Sequence, residues 1–180
     1  RKLGCLCRVP MDLVRFSTRA VELFLRQDMA TVMALEESNT FLNNTTVTDL
    51  KPKGILAYAG IKTVLAGVIG TDGNTIQPED VDMLMAEIEE ANVPINESGF
   101  TLVMRPKLRA ALATRRADAV SGGDGAGQYV FLDMALNAMQ GNRSLIHGYR
   151  CLTSTQVSAA RTKGSGTNLT MVFGGDFSQF

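Results

Sequence analysis

The chain is predicted to adopt an α+β fold, on three observations. A long helical stripe of apolar residues comes early, two shorter amphipathic helices bracket an apolar strand in the middle, and further strand-like runs fill the last third. With 180 residues, 45% of them hydrophobic and 20% charged, the chain is long enough to bury a real core and fits one domain, or one domain with part of another.

The elements follow in order. Residues 3–9 read as a short strand stopped by Pro10, and residues 11–14 as one helical turn. From 18 to 40, Val21, Phe24, Leu25, Met29, Val32 and Met33 recur at three- and four-residue spacing without Gly or Pro. With Ser17 as N-cap, this predicts a helix of roughly six turns with one apolar face. Asn43-Asn44-Thr45-Thr46 ends it, and Lys51-Pro52-Lys53-Gly54 turns the chain into the apolar run Ile55-Leu56-Ala57-Tyr58.

After the turn at residues 70–74, Pro78 suits the first position of a second helix. Glu79 and Asp80 favour its positive end, and Val81, Leu84, Met85 and Ile88 make its inward stripe. Asn92-Val93-Pro94 stops this helix. Residues 101–104 read as a strand buried on both faces. Pro106 then opens a basic helix to about Arg116, with Leu108, Ala111 and Leu112 facing inward. Residues 121–127 hold four glycines, Tyr129-Val130-Phe131 reads as a strand, and two late strands fall around 149–153 and 168–173, with a Gly/Ser turn at 163–166 between them.

Eighteen basic and eighteen acidic residues cancel, so there is no overall field to hold nucleic acid. Neutrality hides segregation: residues 1–30 carry six basic against three acidic side chains, 31–104 three against eleven, and 105–119 five against one. Solvated helix faces account for this, and so does pairing of opposite charges between neighbouring copies. No apolar run reaches the ~18–20 residues of a membrane span, and the N-terminus lacks the apolar core of a signal peptide, so the chain is expected to be soluble and not secreted.

The search for chemistry finds little. Cys5 and Cys7 could offer two thiolates to zinc, but the usual second pair is missing and His147 is the single histidine. Three cysteines do not make a disulfide framework, and free, partly buried thiols in a reducing compartment are expected. A catalytic His147 would need a nucleophile beside it. A residue before Gly148 in a strand-like segment is expected to be packed in the fold instead. The 121–127 loop could cradle phosphate on its amides, but no Gly-Lys-Ser/Thr ending follows, and a surface contact loop fits better. Glu79, Asp80, Asp82, Glu87, Glu89 and Glu90 crowd one helix and read as a solvated surface. No catalytic residue, cofactor-binding residue or metal ligand is therefore assigned.

In sequence order the chain shows the long helix at 18–34, then Leu35-Glu36-Glu37-Ser38-Asn39-Thr40-Phe41-Leu42, then Lys51-Pro52-Lys53-Gly54-Ile55. The helix start at 75–84 and Leu102-Val103-Met104-Arg105-Pro106 follow, then Ile146-His147-Gly148-Tyr149-Arg150-Cys151 and finally Met171-Val172-Phe173-Gly174-Gly175-Asp176-Phe177. That order resembles the major capsid proteins of tailed bacteriophages, the Hong Kong 97-like family. Asn43-Asn44 stands where the family commonly has a glycine turn, Tyr149-Arg150 replaces a Pro-Val pair, and residues 173–176 carry one glycine more than usual.

The resemblance implies a Hong Kong 97-like fold: a partial peripheral domain with its spine helix over 1–60, and an axial domain with a mixed sheet flanked by helices over 61–180, truncated at the C-terminus. The family's N-terminal arm, extended loop and closing peripheral strands are expected outside residues 1–180. It further implies a non-enzymatic major head protein that self-assembles from pentamers and hexamers into an icosahedral shell. Scaffold, portal and maturation protease of a phage head would be its partners. The shell would enclose DNA without sequence-specific binding and assemble in the bacterial host cytoplasm, with no membrane involved. An encapsulin-type nanocompartment shares the fold and stays open as a reading, as does, from another class, a small α/β phosphate-binding enzyme using the 121–127 loop.

Three structural expectations follow. His147 should line no cleft with a nucleophile, the apolar face of the long helix should not be fully covered by this chain, and the acidic and basic helices should face neighbouring subunits.

Overall fold

The computed structural model describes residues 3–16, 19–45, 52–64, 72–92, 99–116, 128–139, 145–146 and 148–177. These divide into two compact units, Arg1–Gly60 and Ile61–Phe180.

In the first unit, residues 3–10 are irregular, not the expected strand. Alternation alone does not make a strand: no partner pairs with them among the described residues, and Leu6 is 84% exposed. Helix α1 (Met11–Phe16) precedes α2 (Arg19–Asn43), which runs three residues beyond its expected end. The polar run does not break α2 early, because Asn43 Nδ2 donates to Asn39 Oδ1 one turn back at 2.8 Å.

None of the six stripe residues of α2 is buried. Val21, Leu25, Met29 and Met33 are half-buried, while Phe24 and Val32 are 67% and 50% exposed. A short 3-10 helix (Ile55–Ala57) packs on the C-terminal end of α2, near the buried Leu42.

The second unit is built on a four-stranded mixed sheet. Its strands are β1 (Phe100–Met104), β2 (Leu145–Ile146), β3 (Tyr149–Thr153) and β6 (Phe173–Asp176), in the order β2-β3-β1-β6. Central β1 runs parallel to β3, with Leu102 opposite Cys151, and antiparallel to β6, with Leu102 opposite Gly174. Such a sheet, with helices packed on it, makes the fold α+β, as the sequence predicts.

Side chains alternate along a strand, so Phe100, Leu102 and Met104 share one face with Cys151. On that face they meet Val81 and Met85 of α3 (Pro78–Glu90) and Leu112 of α4 (Pro106–Thr114), with Phe131 and Ile146 completing the cluster. The rings of Phe100 and Tyr149 meet edge-on, 5.1 Å apart.

Helix α3 starts where its sequence dictates, with Pro78 in the first turn and the Asp80 carboxylate accepting the Gln77 backbone N–H at 2.7 Å. Of the residues predicted to face inward on α4, Leu108 and Leu112 do so, but Ala111 is exposed and Ala113 packs on the core in its place. The buried face follows the four-residue row 108–112 and its neighbour at 113.

Two late readings change. Residues 129–131 are not a strand: Tyr129 makes one bridge to Arg116, and the chain turns through buried Phe131 into α5 (Leu132–Met139). The expected strand over 168–173 is two strands. β5 (Gly166–Leu169) pairs with β4 (Arg161–Lys163) across the Gly/Ser turn, and β6 starts only at Phe173.

Of the glycine pair in β6, packing requires Gly174, whereas a Cβ on Gly175 would meet nothing within 4 Å. A Cβ on Gly174 would lie 2.5 Å from Leu84 Cδ2 and 3.0 Å from Phe100 Cζ, so α3 and β1 close over a position that only glycine fills.

Candidate assembly surfaces

His147 and the whole 121–127 loop lie outside the described residues. Among the described residues no group of three or more His, Cys, Asp and Glu is placed to hold a metal ion. Cys5 is half-buried, Cys7 exposed and Cys151 buried. Burial in the β3 core pushes the Cys151 thiol above its ordinary value of 9.0, and the charge of Arg109 offsets part of that rise. Such a thiol stays protonated at neutral pH and is a poor nucleophile. A polar depression of about 200 Å³ is lined by Asn39, Thr40, Asn43 and Asn44, all within one end of α2 and its exit.

The surfaces carry more information. On α3 the inward stripe holds as predicted: Val81 and Met85 are buried, and Leu84 and Ile88 pack against the cluster. Its outer face presents Glu79, Asp82, Glu89 and Glu90, with Met83 56% exposed among them. Glu87 differs from these, since Lys62 Nζ reaches its Oε2 at 3.2 Å.

The arginines of the basic helix and its flanks make contacts within this unit. Arg105 Nη1 donates to the Val157 carbonyl at 2.6 Å and to the Thr155 carbonyl at 3.3 Å, fixing the loop after β3. Arg115 Nη1 donates to the Ile76 carbonyl at 3.0 Å, ahead of α3. Arg116 lies over the Tyr129 ring, 4.9 Å from its centroid, and donates to the Tyr129 hydroxyl at 3.3 Å. Together with Arg109 beside Cys151, these half-buried arginines brace this unit from within. Net charge along the sequence carried no information on where the guanidinium groups point; the carbonyls that they satisfy come from residues 39 to 52 positions away.

In the first unit, Gly54 meets the end of α2 so closely that an added Cβ would lie 2.7 Å from the carbonyl oxygens of Thr40 and Asn44 and 2.9 Å from that of Phe41. The Asn44 side-chain amide donates to the Pro52 carbonyl at 2.6 Å, and Lys53 Nζ sits 4.0 Å from the centre of the Tyr58 ring. Residues Pro52-Lys53-Gly54-Ile55 therefore fold the chain back on the carbonyl end of the long helix.

The described residues thus present exposed helix faces on internally braced units, the design of a protein that works through its surfaces. The sequence matches the profile of the phage capsid family over residues 1–180, and the chain belongs to that family. It is a structural capsid protein of the virion. No helix among the described residues is long and apolar enough to cross a membrane. No curated protein and no solved structure matches the chain.

Proposed function

We propose that the chain builds an icosahedral phage head on the Hong Kong 97-like plan. Arg1–Gly60 is read as peripheral-domain sequence with α2 as the spine helix, and Ile61–Phe180 as axial domain. The observation that carries this reading is the succession of a 25-residue helix whose apolar face is only partly covered, a glycine turn against its end, and then a mixed sheet packed on α3 and α4.

The subunit rings into pentamers and hexamers, and closed symmetry sums many modest contacts into a stable shell. It catalyses nothing. Scaffold, portal and maturation protease act with it during assembly in the bacterial host cytoplasm, and the shell holds DNA without reading its sequence.

Expression of the full chain with and without a scaffolding protein, followed by sedimentation and electron microscopy, tests this reading. Closed particles with five- and six-fold rings are expected. Monomers or open aggregates under both conditions would overturn it.

A further inference from the structure

Helix α5, over residues for which the sequence predicted no element, carries the apolar side chains Leu132, Leu136 and Met139 at positions i, i+4 and i+7, so all three lie in one row. They are 56%, 49% and 70% exposed, while Ala135 on the adjoining side is 3% exposed and Phe131 one turn before it is in the core. The helix is therefore seated on its unit by one face, through contacts with α4 and β2, and offers a second apolar face outward.

We infer that this outer row of α5, resting on the capsid reading above, is a contact between copies of this chain. Three arguments single out a second copy as the occupant. First, this is a structural protein of a capsid, so copies of itself are the surfaces that it meets in greatest number. Second, α5 carries one charged residue in eight, so two copies approach it without the like-charge repulsion that the outer carboxylates of α3 would impose. Third, three of the five basic side chains over 105–116 are engaged within the unit, on carbonyls of residues 76, 155 and 157 and on the Tyr129 ring, which leaves Lys107 as the exposed basic residue of α4.

Three side chains of this size, about half or more exposed, form a patch on the order of 300 Å², within the range of the largest apolar patch on a single subunit, which is often functional. A stable pairwise interface buries roughly 1,200–2,000 Å², so α5 supplies the dry centre of a larger, weaker contact that repetition strengthens.

The test replaces Leu136 and Met139 together by Asp in the full chain and compares assembly with the unaltered protein, using circular dichroism to follow folding of the subunit. Folded subunits with at least a tenfold loss of assembled particles are expected. Folded subunits that assemble at the unaltered yield would overturn the inference while leaving the capsid reading intact, because that reading fails only if the unaltered chain itself forms no particles. Should the double variant not fold, hydrogen exchange on the unaltered protein decides the question. Amides of residues 132–139 should slow on assembly, and equal exchange in free and assembled subunits would rule out a contact there.

Discussion

Ser165 donates twice to the carboxylate of Asp72, its backbone N–H to Oδ1 at 2.6 Å and its hydroxyl to Oδ2 at 2.7 Å. The pair pins the turn between β4 and β5 to the segment leading into α3. Gly73 continues the join, since a Cβ there would lie 2.8 Å from Leu169 Cδ1.

These bonds hold the Asp72 carboxyl below its ordinary value of 3.8, the Ser165 hydroxyl contributing most, the Ser165 backbone next, with burial opposing. A depressed folded-state value means that the anchoring is complete above pH 3.8 and is lost as the pH falls through the folded value. Amide exchange of residues 161–169 should therefore accelerate on acidification below that point, after correction for intrinsic rates. In Asp72→Asn this step should be absent, and a step of equal size in the variant would contradict the assignment.

Gly174→Ala should destabilise the second unit by about 1–3 kcal/mol, the usual cost of overpacking a filled site. Leu84 is the more yielding neighbour, so adding Leu84→Ala should restore part of the loss, a coupling that chemical denaturation of the two single variants and the double variant would measure.

Gly54→Ala meets three backbone carbonyls and has no side chain to push aside. Destabilisation of at least ~1–3 kcal/mol is expected, with the 3-10 helix displaced from the end of α2. Gly4→Ala is the control: nothing lies within 4 Å of its added Cβ, and the change should stay within ~0.5 kcal/mol.

Of the two thiols at the extremes of exposure, Cys7 should react with maleimide at once in the folded protein and Cys151 only after denaturation. Because the folded-state value of Cys151 is raised, its contribution to stability is whole at neutral pH and declines as pH rises above 9.0, where the unfolded thiol ionises first. Cys151→Ser should remove that alkaline decline.

Reversal of Arg115 to Glu should unfold before it disturbs assembly. It deletes a charged donor to the Ile76 carbonyl, a bond worth ~1.5–3 kcal/mol, and sets a carboxylate near that oxygen. Lys107→Glu, at an exposed position of the same helix, should leave thermal stability unchanged; equal melting temperatures for the two variants would refute the internal role of Arg115.

The legible parts of the fold were those whose local and global demands agree. The proline start, acidic first turn and four-residue apolar row of α3 all point one way, β1 is a mostly apolar run, and β3 follows the glycine at 148. Residues 129–131 misled because Tyr, Val and Phe favour strands, whereas here Phe131 is a core plug at the entrance to α5. β6 was misplaced because glycines weaken a strand reading, and the reason for Gly174, the close approach of Leu84 and Phe100, exists only in three dimensions. Charge segregation was visible in the sequence, but the inward turn of the arginines was not, since their partners are backbone oxygens that no residue type announces.

The placement of β1 at the centre of its sheet sets a timetable for synthesis. Both of its neighbours come later, β3 starting at Tyr149 and β6 ending at Asp176. At the ribosome's pace of about 5–20 residues/s, Phe100-Thr101-Leu102-Val103-Met104 leaves translation roughly 2–10 s before β3 is complete. For that interval a five-residue apolar strand has neither edge paired, in polysomes where sister chains bearing the same strand emerge side by side. A head protein is needed in many copies, so the yield of subunits is set by how often that strand finds residues 149–153 of its own chain before it finds its counterpart in another.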